Sequence, residues 1–143
     1  MLRGDVLVAG RAHAEKIVLT QPLSFWGGYD AAAGLIIDRT HPLAGASLAG
    51  KIMVMAHAKG SSSSSSVLAE AIRNGTGPLG IVLRERDLII AIGALVAFEL
   101  YRVEVPVVCV DARSFAHLVA STGPLRIEAD AATGRAAIYV DAG

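Results

Sequence analysis

Residues 51–74 read KIMVMAHAKGSSSSSSVLAEAIRN and combine three local patterns in one short segment. Residues 51–55 are mostly apolar and typical of a buried strand, whereas residues 67–73 follow the spacing of an amphipathic helix. Between them lie Lys59, Gly60 and six consecutive serines. The segment therefore predicts a strand that turns at Gly60 and leads into the start of a helix.

The position of the six serines favours a binding or catalytic loop. The first N–H groups of a helix have no partner within the helix, and the helix dipole makes that end electropositive. Glycine lets the backbone approach a ligand closely, and serine hydroxyls can bind an anion or carry a catalytic proton. The alternative is a solvated polyserine loop without a ligand. The segment matches neither a P-loop, because no lysine follows its last glycine, nor a G-x-S-x-G nucleophile elbow.

The composition predicts a single domain, residues 1–143, with a large apolar core. Hydrophobic residues make up 53% of the chain and the mean hydropathy is +0.52, which is typical of a folded protein. The 13 Lys and Arg residues balance 13 Asp and Glu residues, so no basic surface for nucleic acid is predicted. The apolar content also fits a second interpretation, in which part of the surface packs against another subunit.

No membrane-spanning or secretory segment is predicted, and we expect a cytoplasmic protein. Met1–Asp5 lack the apolar stretch of a signal peptide. The longest apolar segment, residues 88–100, is interrupted by a glycine and a glutamate and is too short to span a bilayer. The single cysteine, Cys109, fits a reducing compartment and is expected to be a small buried hydrophobic residue in a strand.

Hydrophobic patterning predicts the element order β, β, β, α, β, α, β, α, β, β. The strands are expected at residues 15–20, 34–38, 51–56, 79–83, 106–110, 125–129 and 135–140, and the helices at residues 65–74, 87–102 and 114–120. Asp87 is the expected N-cap of the second helix, whose buried face is predicted to be Ile89, Ile92, Leu95, Val96 and Leu100. The last two strands form a hairpin. Strands outnumber helices without regular alternation, which predicts an α/β domain with a small barrel-like sheet and flanking helices.

Two further segments carry candidate site residues. The loop Leu23–Gly28 holds the only tryptophan, Trp26, and its paired glycines allow close backbone approach, although a lone tryptophan usually anchors a core. Asp38 and His41 place an acid and a base near a strand end, where a salt-bridged surface is the simpler interpretation. No His or Cys spacing predicts a metal site formed by this chain alone.

Several short segments, taken in order, resemble the small subunit of the aconitase X group. They are LSFWGGYD at 23–30, GLIID at 34–38, HPLAG at 41–45, GK at 50–51, GSSS at 60–63, VL at 67–68, NGTGP at 74–78 and IGA at 92–94. The similarity extends over most of the chain. Members of the group commonly have a glycine within the serine run, where this chain has Ser64.

The resemblance implies a swivelling β/β/α domain and a role in an iron–sulfur hydro-lyase. Ser61 or Ser62 would be the base that removes the proton next to the substrate carboxylate. Residues that would shape the loop, bind the substrate or line the pocket are Gly60, Ser63, Ser65, Ser24, Trp26 and Gly27. A larger partner subunit would hold the iron–sulfur cluster, and activity would require both subunits.

The resemblance implies two classes of substrate. One is cis-3-hydroxy-L-proline, dehydrated to pyrroline-2-carboxylate, and the other is mevalonate 5-phosphate. The absence of a concentrated basic cluster for a phosphate and the Ala- and Arg-rich composition favour hydroxyproline. Two alternatives from other classes are a non-catalytic anion-binding module and a structural domain with a polyserine loop. Co-purification with a cysteine-containing larger subunit would distinguish the enzyme from both.

Overall fold

The computed structural model describes residues 1–141. Within them the strands are β1 (Leu2–Val8), β2 (Gly10–Ala14), β3 (Lys16–Leu19), β4 (Tyr29–Asp30), β5 (Leu35–Ile36), β6 (Ile52–Met55), β7 (Gly80–Leu83), β8 (Val107–Cys109), β9 (Leu125–Asp130) and β10 (Arg135–Val140). The helices are α1 (Phe25–Gly28), α2 (Ser64–Asn74), α3 (Leu88–Tyr101) and α4 (Ala112–Ala120). The predicted strand, turn and helix of residues 51–74 correspond to β6 and α2, so this prediction is confirmed.

Eight strands form one curled sheet in the order β2-β9-β10-β1-β8-β7-β6-β3. The strands β3, β6, β7 and β8 are parallel, and α2 and α3 connect β6 to β7 and β7 to β8. From β8 onward the pairing is antiparallel, and β9 with β10 is the predicted hairpin. Curling brings β2 close to β7, where a Cβ placed on Gly80 would lie 3.1 Å from the Ala12 Cβ. The predicted barrel-like α/β sheet with flanking helices is confirmed.

The strands β1 and β2 were not predicted. Charged residues and a glycine interrupt the apolar pattern of β1, which reads LRGDVLV. The glycine is Gly4, and a Cβ at this position would lie 2.7 Å from the carbonyl oxygen of Cys109 on the neighbouring strand. Gly4 thus allows β1 to lie close to β8. The strand occupies a central position between β8 and β10, although its sequence pattern is weak.

The parallel strands are buried on both faces, and this divides the core in two. Alternate residues point to opposite sides of a strand, so Met53 and Met55 pack with Leu68 of α2 and Ile90 of α3. The intervening residues of these strands, which include Ile52, Val54 and Val82, form a second core inside the curled sheet. Leu118 of α4 and Ile127 of β9 belong to the same core. One core therefore holds α2 and α3 against the sheet, and their placement determines where the serine run begins.

The buried side of α3 differs from the predicted one, which was Ile89, Ile92, Leu95, Val96 and Leu100. Of these residues only Val96 packs against the core, and it is partly buried. The fully buried residues of α3 are Ile90, Gly93, Ala94 and Ala97. Their small size lets α3 approach α2 closely, because a Cβ on Gly93 would lie 2.9 Å from the carbonyl oxygen of Ser65. The helix is apolar on all sides, so its pattern did not identify the side that packs.

A long excursion between β3 and β6 packs beside α2. It contains α1 and a separate two-stranded sheet of β4 and β5, so the predicted strand at residues 34–38 is much shorter than expected. The Tyr29 hydroxyl fixes this excursion by donating to the carbonyl oxygen of Thr76 at 2.6 Å and accepting from the N–H of Leu48 at 3.1 Å. The first of these bonds ties the excursion to the residues that follow the C-terminal end of α2.

Candidate functional site

The serine run forms a tight turn that leads into α2. Gly60 has φ of +108°, a value that L-residues with a side chain rarely adopt, and α2 begins at Ser64. The Ser61 carbonyl accepts from the N–H of Ser64 at 3.0 Å, and the Ser62 carbonyl accepts from the N–H of Ser65 at 3.3 Å. These helix-start donors are therefore already engaged within the turn, which leaves the serine hydroxyls as the exposed polar groups at the start of α2.

The hydroxyls of the serine run have different surroundings. Ser61 Oγ accepts a hydrogen bond from the N–H of Ser63 at 3.1 Å, and Ser65 Oγ donates to the carbonyl oxygen of Ser62 at 2.9 Å. Ser64 is only 3% exposed, whereas Ser61 and Ser62 are exposed. Ser61 is thus an accessible hydroxyl whose oxygen already receives a backbone donor.

The loop that contains the tryptophan lies directly against this turn. The N–H of Trp26 donates to Ser64 Oγ at 3.0 Å, and Ser24 Oγ lies 3.4 Å from the same oxygen. A Cβ on Gly60 would overlap the Ser24 hydroxyl. The structure therefore brings the two predicted segments together, and Ser64 is the residue that joins them.

Trp26 is 59% exposed, so the interpretation of this residue as a core anchor is wrong. Its neighbour Gly27 is also exposed and has φ of +79°. Phe25, beside it, is fully buried and makes an edge-to-face contact with Tyr29. Phe25 thus anchors the loop while the indole of Trp26 faces outward.

A small cavity of about 120 Å³ opens beside the turn. Its lining residues are Leu23, Phe25, Ala58, Lys59, Gly60, Ser61, Ser64, Asp87, Ile89 and Ile90. Of the predicted site residues, Gly60 and Ser61 line this cavity. The others lie in the adjoining turn and loop; they are Ser62, Ser63, Ser65, Ser24, Trp26 and Gly27.

Asp87 was predicted only as a helix cap, and the structure also places it in the cavity wall. Its Oδ1 accepts from the N–H of Ile90 at 2.9 Å, which confirms the cap and holds the carboxylate in position. Lys59 lines the same cavity. One cationic and one anionic residue therefore line the same cavity as Ser61. Asp87 could have been assigned to the site only by knowing that α3 packs beside the first turn of α2.

Asp38 and His41 lie outside the cavity lining. Hydrogen bonds from the hydroxyl and N–H of Thr40 lower the pKa of Asp38, and the positive charge of Lys59 lowers it further. His41 is buried, and its Nδ1 accepts from the N–H of Leu43 at 3.0 Å, so its Nε2 donates to the carbonyl oxygen of Gln21 at 3.0 Å. His41 therefore joins two loops, and the expected salt-bridged surface is wrong for this residue.

A much wider groove of about 1060 Å³ lies at the other end of α3. Leu95 and Phe98 of α3 form one wall, and residues of β1, β9 and β10 form the opposite side. Glu104 in this groove accepts from the N–H of Arg11 at 2.8 Å. None of the predicted site residues lines the groove.

The described residues offer no ligand set for a metal ion or cluster. Within residues 1–141 no three His, Cys, Asp or Glu side chains come together. The thiol of Cys109 is half-buried rather than fully buried and donates to the carbonyl oxygen of Arg84 at 3.3 Å. Burial raises the pKa of this thiol. The side chains of residues 1–141 therefore do not by themselves offer a ligand set for an iron–sulfur cluster.

In the part of the chain that the structure covers, no helix is both long and apolar enough to cross a membrane.

Comparison with protein families gives one match over nearly the whole chain. The family model described as aconitase X swivel domain matches residues 1–136. A crystal structure of Thermococcus kodakaraensis aconitase X in its holo form is similar with a TM-score of 0.75 and 32% identity. The likeness covers 96% of this chain and 97% of that one, and it confirms the predicted swivelling-domain fold.

Curated relatives carry two different names. The cis-3-hydroxy-L-proline dehydratase of Pseudomonas aeruginosa is 45% identical over 107 residues, which are 75% of this chain and 18% of that protein. The phosphomevalonate dehydratase small subunit of Thermococcus gammatolerans is 41% identical over 96 residues, which are 67% of this chain and 73% of that protein. The chain thus spans less than a fifth of the first relative and most of the second.

Proposed function

This chain belongs to the aconitase X swivel domain family, and on that premise we propose that it is the small subunit of a dehydratase. A larger subunit completes its active site. The observation that carries the proposal is the cavity beside Ser61, which measures about 120 Å³. Pockets that enclose a small molecule usually measure about 300–1,000 Å³. This cavity is too small to enclose a substrate, although it is lined by reactive groups. A second protein surface is therefore needed to complete the site.

Ser61 is the proposed proton-abstracting base. A serine hydroxyl is a weak base at neutral pH, so it acts as one only where its alkoxide is stabilised. The N–H of Ser63 already donates to Ser61 Oγ, and Lys59 adds a positive charge to the same cavity. Ser62 is exposed and lies outside the cavity lining, which makes it the weaker of the two candidates.

In the proposed reaction, Ser61 takes the proton from the carbon next to the substrate carboxylate. The hydroxyl on the neighbouring carbon leaves, and a carbon–carbon double bond forms between the two carbons. The proton and the hydroxide that are removed together make up one water molecule. The remaining serines and Gly60 maintain the conformation of the turn. Trp26 and Gly27 face the larger subunit. The larger subunit, in this proposal, holds the iron–sulfur cluster, because the described residues of this chain do not offer its ligands.

The charges of the cavity favour cis-3-hydroxy-L-proline as the substrate. This molecule carries an ammonium group and a carboxylate at neutral pH, and Asp87 and Lys59 are their complements. Mevalonate 5-phosphate carries a carboxylate and a phosphate, and a carboxylate side chain in the wall disfavours such a molecule. The 45% identity to the Pseudomonas protein supports the same choice.

A second candidate is the small subunit of a phosphomevalonate dehydratase. It is favoured by the chain organisation, since the relatives from Thermococcus and Pyrococcus that are named as small subunits match over 72–74% of their own length. The substrate test therefore has to include both molecules.

The test is co-expression of this chain with its matching large subunit, followed by assay of each chain and of the complex. We expect a coloured complex that forms pyrroline-2-carboxylate from cis-3-hydroxy-L-proline, with no turnover by either chain alone. Turnover of mevalonate 5-phosphate instead would select the second candidate. A chain that forms no complex and binds inorganic phosphate by itself would contradict the enzyme proposal and support a binding module.

A further inference from the structure

The outer side of α3 presents a stripe of apolar side chains to solvent. Leu88, Ile92 and Leu95 are 75%, 49% and 48% exposed. Their spacing of four and three residues places them on one side of the helix, opposite the buried Gly93 and Ala94. We call these three residues the outer face of α3.

Within residues 1–141, none of the three residues of this face belongs to a hydrophobic core cluster. A helix that is apolar all round is normally buried on all sides, yet α3 packs against the core through one side only. Large apolar patches on a protein surface mark interaction sites. Within the outer face itself there is no charged residue, and Glu99 follows it one turn beyond Leu95. The chemistry of the face therefore matches an apolar protein surface rather than nucleic acid or a small polar ligand.

The position of the face connects it to the serine cavity. Leu88 directly follows Asp87, which lines that cavity, and Leu95 lines the wide groove at the other end of α3. The stripe between them is about 10 Å long at the rise of an α-helix. Ile89 and Ile90, the residues of α3 that line the cavity, lie on another side of the helix. A protein that closes the cavity over Ser61 therefore meets the outer face at its first residue, Leu88, which is 75% exposed.

We propose that the outer face of α3 docks the larger subunit of the dehydratase. This inference rests on the proposed function. The Pseudomonas relative carries the matching segment as 18% of one chain, so in that protein the segment shares a polypeptide with a much larger remainder. A second copy of the present chain would also cover an apolar stripe. A second copy, however, would not supply the iron–sulfur cluster that the proposed reaction needs beside the cavity.

The test uses the complex with the large subunit and three variants of this chain. Ile92→Lys and Leu95→Lys place a charge on the outer face. Val119→Lys is the control: Val119 is 39% exposed on α4, a helix that packs through Leu118 against the other side of the sheet. We expect the two α3 variants to bind the large subunit about tenfold or more weakly by calorimetry. The Val119 variant should bind like the wild type.

Circular dichroism of the free chains checks that each variant folds. The variants Ile92→Ser and Leu95→Ser repeat the binding test without adding a charge. Wild-type affinity in the α3 variants, in a complex that still dehydrates its substrate, would overturn the docking surface and leave the function intact. The docking surface would also be overturned if the free wild-type chain is a dimer, and if the α3 variants are monomers that still bind the large subunit normally. A wild-type chain that binds no large subunit would refute both proposals.

Discussion

The backbone N–H of Trp26 donates a hydrogen bond to Ser64 Oγ at 3.0 Å, across 38 positions of sequence. The acceptor is buried at the first turn of α2, and the indole of the donor residue is exposed. This bond therefore links the tryptophan loop to the serine turn. The bond is made by the Ser64 hydroxyl and not by the backbone of the turn.

Removal of this hydroxyl should loosen the loop. We expect Ser64→Ala to lower the free energy of unfolding by about 1 kcal/mol, since a net hydrogen bond contributes about that much. Trp26 is the only tryptophan, so its fluorescence emission should change in the same variant. Ser66→Ala, on the exposed side of α2, is the control and should change neither quantity. Equal behaviour of the two variants would show that the Trp26–Ser64 bond does not hold the loop.

Gly60 is required both for its backbone conformation and for the space beside it. Gly60→Ala would strain the backbone and push a methyl group into the Ser24 hydroxyl. Gly50→Ala is the matched control, because Gly50 also has a positive φ but a Cβ there meets nothing within 4 Å. We expect Gly60→Ala to destabilise the chain by about 1–3 kcal/mol more than the control, as measured by urea unfolding.

A second variant removes the Ser24 side chain, which the added methyl group of Gly60→Ala would overlap. Ser24→Gly in the Gly60→Ala background should recover the part of the loss that comes from overlap, while the backbone strain remains. A double variant no more stable than Gly60→Ala alone would contradict the packing of Ser24 under Gly60.

The N-cap of α4 predicts a pH dependence. The N–H of Ser114 donates to the carboxylate of Asp111 at 2.8 Å, and this bond lowers the pKa of Asp111 below its usual 3.8. The folded chain therefore holds this proton less tightly than the unfolded chain does. The resulting stability is present above pH 3.8 and is lost as the pH falls through the lowered pKa.

Asp111→Asn keeps a side-chain oxygen for the cap but cannot ionise. We expect the melting temperature of the wild type to exceed that of this variant at pH 6, and the difference to shrink at pH 3. A difference that is the same at both pH values would show that the charge of Asp111 does not contribute to the cap.

The sequence predicted those parts of the fold whose local signals agree. Strand β6, the turn at Gly60 and α2 have an apolar run, a glycine and a helical pattern in succession, and the structure has all three. The hairpin of β9 and β10 was equally clear, because alternating strands flank a short polar turn. The resemblance to the aconitase X group identified the fold and family, which the structural likeness confirms.

Other features depend on contacts between distant segments and could not be predicted. The buried side of α3 is set by the close approach of Gly93 to Ser65, and a uniformly apolar helix gives no sign of this. Strand β1 is held in the centre of the sheet by its neighbours, despite Gly4 and its charges. The place of Asp87 in the cavity wall likewise follows from the packing of α3 against α2.

The account depends most on Ser61 as the base in a site shared with a larger subunit. The most direct measurement is the rate of cis-3-hydroxy-L-proline dehydration by complexes assembled with wild-type chain, Ser61→Ala or Ser62→Ala. We predict that Ser61→Ala assembles normally and loses kcat by about 10²–10⁴-fold, whereas Ser62→Ala stays within a few-fold of the wild type. Full turnover by an assembled Ser61→Ala complex would contradict the account.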